Sequence, residues 1–228
     1  GNPEKRTLKG AENFLPRVVD YIMNLPKQHL GCPEDLTIVT WNNYPDETIL
    51  EKTCNHLGIP IQVYGKDIKD WTTNYEKKIR LMYDACCQSK TKYILGIDSR
   101  DLVFLTSPAT ALNAFKEMNI KMLFGGTIKT SGFYKGADDL LLMFRTLPRA
   151  RFSMFRNLNG GQWIADREYA KSFFEKAMTY PPRPEKPESD QIILSHTLCY
   201  NKELQGDTKI DYSCKIFQIY TNVMPLIF

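Results

Sequence analysis

Short apolar runs alternate with longer amphipathic stretches over most of the chain, a pattern typical of alternating strands and helices. Runs rich in β-branched and aromatic residues predict strands at 36–41, 61–64, 93–97, 122–124 and 215–219. Amphipathic stretches predict helices at 14–23, 46–57, 74–88, 108–118, 166–178 and 192–200. Strands joined through helices pair in parallel, with right-handed crossovers. The pattern therefore predicts an α/β domain with a mostly parallel central sheet flanked by helices.

Capping and turn residues mark several predicted boundaries. Asp46 is expected to cap the second helix and Gly58 to end it, while Ser107 and Pro108 begin the fourth helix. Ser189 is expected to cap the last helix. These signals place turns between the strands and helices at the lengths that an α/β domain requires.

The chain divides into a short extension and one domain. Residues 1–35 are mostly polar and predict an N-terminal extension with one short helix, whereas residues 36–228 alternate strand and helix without a break in composition. Within the domain, residues 125–156 are predicted to form loops and a short helix beside a functional site. The prolines of residues 180–187 predict an extended linker or lid.

Composition narrows the classes of function. Hydrophobic residues make up 43% of the chain and charged residues 25%, as in soluble globular proteins, and the apolar runs are too short for a transmembrane segment. The formal charge of +4 is spread without a basic block, so we expect no nucleic-acid partner. Six cysteines without a C-x-x-C pair, the absence of a glycosylation sequon and of a leader-like start predict a reducing, cytoplasmic setting.

Two carboxylates follow the most strand-like apolar run. Asp98 and Asp101 come directly after the strand 93–97, and ligands in open α/β sheets bind at the carboxyl ends of strands. A tight turn could aim both side chains at one cation, and oxygen ligands favour Mg²⁺ or Mn²⁺. The alternative is an ordinary capped turn in which Arg100 pairs with Asp101.

Four short segments along the chain contain motif-like residues. They are Trp71 with KIRLM at 78–82, IDSRDLVF at 97–104, LNGGQWI at 158–164, and SDQ at 189–191 with IDYSCKIFQ at 210–218. Together they resemble the glycosyltransferase domain of the procollagen lysyl hydroxylases and of related collagen glucosyl- and galactosyltransferases. The resemblance covers about residues 36–219 and implies a single domain with the GT-A fold, which is Rossmann-like.

The resemblance also implies a role for each matching residue. Asp98 and Asp101 would hold Mn²⁺ (or Mg²⁺) against the diphosphate of a UDP-sugar donor, where the ion would neutralise the departing nucleotide. Asp190 would bind donor-sugar hydroxyls or assist the attack of the acceptor. The remaining residues would contact the donor: Trp71 packs on the uracil or ribose, Lys78 assists the nucleotide, and Asn159, Gly160 and Gly161 line the floor.

One position departs from the family pattern. The third metal ligand of the family is a histidine in an L-D-H motif, and here that position is Tyr212. A neutral tyrosine is a poor ligand for Mn²⁺. Either Asp211 supplies the third ligand, or water fills the position, or metal binding is weakened.

These observations predict a metal-assisted glycosyltransferase that moves a sugar from a UDP-sugar to a hydroxyl acceptor, on a glycan or a hydroxylated peptide side chain. The alternative, motivated by Tyr212, is a non-catalytic sugar-nucleotide or glycan-binding module derived from such an enzyme. A nucleotidyltransferase is disfavoured, because such enzymes usually carry a glycine-rich basic loop after the first strand, and Asn42-Asn43-Tyr44-Pro45 stands there instead.

Overall fold

The structure is a computed structural model that describes residues 14–68, 75–128, 153, 155–180 and 189–218. The strands are β1 (Leu36–Trp41), β2 (Gln62–Tyr64), β3 (Tyr93–Asp98), β4 (Met122–Thr127), β5 (Asn157–Asp166) and β6 (Thr208–Asp211). The helices are α1 (Phe14–Asn24), α2 (Ile49–Leu57), α3 (Tyr75–Gln88), α4 (Pro108–Glu117), α5 (Arg167–Met178), α6 (Asp190–Tyr200) and the short α7 (Lys202–Gln205). The predicted α/β class is confirmed.

The six strands form one mixed sheet in the order β2-β1-β3-β5-β4-β6. β5 runs antiparallel to both of its neighbours, β3 and β4, while the other neighbouring strands pair in parallel. The prediction of a mostly parallel sheet is therefore wrong. No strand was predicted over 157–166, because the Gly160-Gly161 pair in its middle is typical of a turn.

The glycines of β5 lie in an irregular part of the ladder. Phe124 pairs with Trp163, but the next residue of β4, Gly125, pairs with Asn159, so residues 160–162 bulge out of register with β4. A bulge bends a strand and redirects its backbone, and bulges are frequent beside active sites. The bulge places the glycine pair at the edge of the sheet where β3 ends.

The last strand was predicted in the wrong place. The final strand of the described chain is β6, whereas residues 215–218 have no strand pairing although Phe217 is buried. The apolar run that suggested a strand is buried through a loop instead, because the carboxylate of Asp211 accepts hydrogen bonds from the backbone N–H groups of this segment.

Helix ends show why most boundaries were predictable. Gly58 ends α2 in the left-handed conformation with φ 66°, and Ser107 caps α4, as predicted. The predicted cap at Asp46 is wrong, because Thr48 and Glu51 form a reciprocal capping box that starts α2 at residue 49. Asp46 and Thr48 are both residues that can cap the start of this helix. Thr48 is the cap because, together with Glu51, it satisfies two backbone N–H groups.

Each face of the sheet carries its own core. One face packs against α3, α5 and α6 around Trp163, Phe173 and Phe174, and the other packs against α2 and α4 around Leu50 and Phe115. α2 packs on one face of the sheet and α3 on the other, so the two helices diverge at the carboxyl ends of β1 and β3. The strand order reverses between β1 and β3, and ligands of open α/β sheets bind at such a point.

The N-terminal helix and its following segment attach to this domain through α2. α1 contacts α2, and the backbone N–H groups of Gln28 and Leu30 donate to His56 and Leu57 at 3.3 and 3.0 Å. No helix within the described ranges combines the length and apolar character that crossing a bilayer requires. All six cysteines are described, and none forms a disulfide.

Replacing Gly96 by alanine is expected to destabilise the protein by about 1–3 kcal/mol, because overpacked cores carry that cost. A Cβ at Gly96 would lie 2.3 Å from two carbons of the buried Trp163 indole, and nothing would be within 4 Å of a Cβ at Gly206, the control position. Chemical denaturation of both alanine variants measures the difference. Equal midpoints for Gly96→Ala and Gly206→Ala would contradict the packing described here.

Candidate functional site

Three charged side chains meet on the α3 face of the sheet, where β3 ends. The ammonium Nζ of Lys78 lies 2.7 Å from Oδ1 of Asp98 and 2.6 Å from Oδ2 of Asp190. Lys78 and Asp190 are buried, with 5% and 9% of their surface exposed. A lysine buried this deeply requires opposite charge beside it, and here it bridges two carboxylates that are far apart in sequence.

The chain positions each member of this cluster, Lys78–Asp98–Asp190, by a different device. Lys78 continues the buried stripe of α3 that contains Met82 and Ala85, at helical spacings of four and seven. Asp98 is the last residue of β3. Asp190 begins α6, where Ser189 caps the helix by accepting a hydrogen bond from the Ile192 N–H.

The turn after β3 is anchored so that Asp98 stays at the sheet edge. The hydroxyl of Ser99 donates to the carbonyl of Trp41 at 2.7 Å, and the N–H of Leu50 donates to the carbonyl of Ser99 at 3.1 Å. These bonds tie the turn to the end of β1 and to the start of α2. The backbone just after Asp98 is thus held by two neighbouring elements besides its own strand.

The glycine pair of β5 forms the floor of the site. A Cβ at Gly161 would lie 2.7 Å from Asp98 Oδ2, and one at Gly160 would lie 3.2 Å from Asp190 Oδ2. The side chain of Asn159 folds back to accept the Gly161 N–H at 2.9 Å. Only glycine lets the backbone approach both carboxylates this closely.

The electrostatics of the cluster are set by burial and by mutual charge. The pKa of Lys78 is raised: burial favours its neutral form, but the two carboxylates more than compensate. The pKa of Asp98 is also raised, mainly by burial and against the opposing effect of the Lys78 ammonium. Still, 36% of the Asp98 side chain is exposed, so the carboxylate is enclosed on the protein side and open towards solvent. One ammonium and two carboxylates give the cluster a formal charge of −1.

Asp101 lies on the solvent side of this cluster. It is exposed, and its charge contributes to the raised pKa of Asp98. The alternative in which Arg100 pairs with Asp101 is not observed, because the Arg100 guanidinium stacks 3.9 Å from the centroid of the Tyr44 ring. The Asp101 carboxylate is therefore left exposed after the turn.

Asp211 has a structural role in this structure. It is buried, and its two carboxylate oxygens accept backbone N–H groups from Lys215 at 2.9 Å, Ile216 at 2.8 Å and Phe217 at 2.9 Å. Its neighbour Tyr212 packs against the core near Cys199, and burial raises the pKa of its phenol. Both side chains are thus used in packing and hydrogen bonding at the end of β6.

These contacts decide how well the residues fit the metal ion that the family resemblance implies. Within the described residues, no group of three or more His, Cys, Asp or Glu side chains is arranged to hold a metal ion. Asp98, Asp101 and Asp211 therefore do not form the predicted three-carboxylate set. The carboxylate of Asp98 already binds an ammonium, and that of Asp211 already binds backbone donors. The donor set as it stands does not fit a divalent ion.

The structure thus brings together most of the predicted site. Lys78, Asp98, Asn159, Gly160, Gly161 and Asp190 converge, whereas Trp71 lies outside the described residues. Sequence reasoning missed the contact of Lys78 with both aspartates. The signal was present, because a lysine on the buried stripe of a helix needs a buried partner of opposite charge.

Another missed feature is the indole nitrogen of Trp41. Trp41 pairs with Asp98 across β1 and β3, and its Nε1 is buried without a hydrogen-bond partner among the described residues.

Comparisons with known proteins add no assignment: neither the scan of protein families nor the search of curated proteins finds a match for this chain. The resemblance noted above therefore remains a prediction.

Replacing Asp211 by asparagine is expected to lower the free energy of unfolding by about 1–3 kcal/mol, because buried backbone donors lose their charged acceptor. Tyr212→Phe is the matched control, since the buried Tyr212 hydroxyl has no partner in the described parts of the chain and its loss should cost nothing. Urea denaturation without added metal compares the two. A Tyr212→Phe variant that loses as much stability as Asp211→Asn would contradict these assignments.

Proposed function

We propose that the chain is a glycosyltransferase of GT-A type, which transfers a sugar from a UDP-sugar donor to a hydroxyl of a glycan or of a hydroxylated peptide side chain. The observation that carries the proposal is the convergence of Lys78, Asp98 and Asp190 on the glycine floor of β5. This convergence lies at the end of β3, beside the point where the strand order reverses, and open α/β sheets bind their ligands at such points. The order of the four resembling segments supports the same conclusion.

The chemistry of the cluster suits a polyhydroxylated ligand. Carboxylates accept hydrogen bonds from sugar hydroxyls, and the bare backbone of Gly160 and Gly161 lets a flat ring approach them. In the proposed reaction the acceptor hydroxyl loses its proton to solvent and its oxygen bonds to the anomeric carbon, and the bond from that carbon to the diphosphate breaks with its electron pair leaving on UDP. Asp190 holds sugar hydroxyls during this step, and Lys78 holds Asp190 in place.

The proposed donor places the nucleotide beyond Asp98, towards the turn that carries Asp101. Asp101 is exposed, and 36% of the Asp98 side chain is exposed. The Mn²⁺ or Mg²⁺ role implied by the resemblance stays a prediction, and no step above depends on it. Donor sugar and acceptor are left open, because one scaffold of this type serves many of each.

A non-catalytic sugar-nucleotide or glycan-binding module is the second candidate. It is favoured because Tyr212, which stands at the family's third metal position, packs against the core, and its neighbour Asp211 satisfies backbone donors. Such a module would keep the glycine pair proposed to contact the donor but would not catalyse the transfer. Binding and turnover therefore have to be measured separately.

The proposal predicts that UDP binds to the protein in calorimetry, with or without Mn²⁺. We expect Asp98→Ala/Asp101→Ala to weaken the binding measured with Mn²⁺ at least tenfold, because the two carboxylates would hold the ion that contacts the diphosphate. The control is Asp35→Ala/Asp207→Ala, which removes two aspartates just before β1 and β6, at the opposite edge of the sheet. No UDP binding by the wild-type protein in either condition would remove the transferase and the sugar-nucleotide-binding module.

Turnover separates the two candidates. A transferase is expected to hydrolyse UDP-sugars slowly, with release of UDP, and the Asp98→Ala/Asp101→Ala variant should lose this activity. The control variant should retain it. Binding of UDP-sugars without release of UDP over a broad panel of donors and hydroxyl acceptors would favour the binding module.

A further inference from the structure

We propose that Arg100, stacked on the ring of Tyr44, forms an anion site that binds a phosphate group of the ligand. A guanidinium is planar and can bind two oxygens of one phosphate through parallel N–H groups. The choice of phosphate rests on the proposed function, because a UDP-sugar would bring a diphosphate to this edge of the sheet. The place of Arg100, its support and its unused donors are features of the structure itself.

The anion site lies where two neighbouring strands end. Trp41 and Asp98 pair with each other as the last residues of β1 and β3, and the strand order of the sheet reverses between these strands. Tyr44 follows three residues after Trp41, and Arg100 follows two residues after Asp98. Both therefore belong to the segments that leave the sheet at the point where open α/β sheets bind their ligands.

Contacts from neighbouring residues hold Tyr44 in place. The buried Asn42 accepts a hydrogen bond from the Tyr44 N–H through its side-chain oxygen at 2.8 Å, and the Lys66 ammonium donates to the Tyr44 carbonyl at 3.1 Å. The guanidinium carbon of Arg100 lies 3.9 Å from the centroid of the Tyr44 ring. A cation that is already supported in the ligand-free protein loses less conformational freedom when a ligand binds.

Most hydrogen-bond donors of Arg100 are unused. A guanidinium carries several N–H groups and has no acceptor. Its one hydrogen bond to a described residue is long: Nη2 donates to the side-chain oxygen of Asn43 at 3.4 Å. Within the described ranges Arg100 forms no ion pair, although Asp98 and Asp101 are close to it in sequence. Arg100 is exposed, so its free donors are accessible to an anion from solvent.

The surrounding charges also require a cation for any phosphate that binds here. The cluster Lys78–Asp98–Asp190 has a formal charge of −1, and Asp101 adds another negative charge. A phosphate beside these carboxylates would be repelled unless a positive charge stood next to it. Residues 42–48, which follow β1, include no lysine or arginine, so Arg100 supplies the charge that this segment lacks.

The test measures the binding of pyrophosphate and of UDP by calorimetry in the presence of a chelator, so that no divalent ion contributes. Arg100→Gln is expected to weaken the binding of both at least tenfold, because charged hydrogen bonds to the phosphate are lost. The matched control is Arg80→Gln, which removes an arginine that also lies over a tyrosine ring, that of Tyr83, but on α3. It should stay within about twofold of the wild type. Equal affinities of Arg100→Gln and the wild type would overturn the inference.

Tyr44 is a positioning residue, since it acts through Arg100. Tyr44→Ala is expected to weaken pyrophosphate binding about threefold, and Tyr44→Phe, which keeps the ring, should restore most of the affinity. Arg100→Lys keeps the charge without the planar fork and should bind at least threefold more weakly than the wild type. A Tyr44→Phe variant as weak as Tyr44→Ala, or an Arg100→Lys variant as strong as the wild type, would contradict the proposed geometry.

Comparing the two ligands separates this inference from the proposed function. If pyrophosphate binding depends on Arg100 but UDP does not bind the wild-type protein with or without Mn²⁺, the anion site stands and the proposed function falls. If UDP binds and Arg100→Gln binds it as tightly as the wild type, the proposed function stands and the anion site falls. If neither ligand binds the wild type in the presence of the chelator, the anion site falls.

Discussion

The buried ammonium of Lys78 is the interaction on which the arrangement of this site depends. Burial of an isolated ammonium is prohibitive, and breaking one partner of a buried ion pair typically costs about 3–5 kcal/mol. The position of Lys78 on α3 therefore requires that the end of β3 and the start of α6 lie beside it. Two helices on one face of the sheet and the end of β3 are joined by the Nζ atom of Lys78, beside the glycine pair of β5.

Much of the fold was predictable because its signals are local. Some structural features depend only on residues a few positions away in the sequence. Examples are the apolar runs of β1 and β3, the left-handed Gly58 and the Ser107 cap. The failures have non-local causes. β5 contains a glycine pair that only its neighbours hold in a strand, and the apolar residues near Phe217 are buried by hydrogen bonds to Asp211 rather than by strand pairing.

The residues of the site were predictable from the sequence, but the contacts between them were not. Asp98, Asp190 and the glycine pair were named from short motifs, and the structure brings them together. A motif states which residues occur in what order, but not which donor reaches which acceptor. The bridge from Lys78 to two aspartates, and the use of Asp211 for backbone donors, depend on distances between elements that no sequence spacing contains.

The antiparallel course of β5 has a consequence for how this protein can vary. β4 ends and β5 begins at the same edge of the sheet, where Thr127 pairs with Asn157, and this is also the edge at which β3 delivers Asp98. The stretch of chain between those two paired residues is therefore attached at both ends beside the site. A one-residue slip of β5 against β4 would carry the glycine pair away from Asp98, so the pairing of these two strands is constrained by the site.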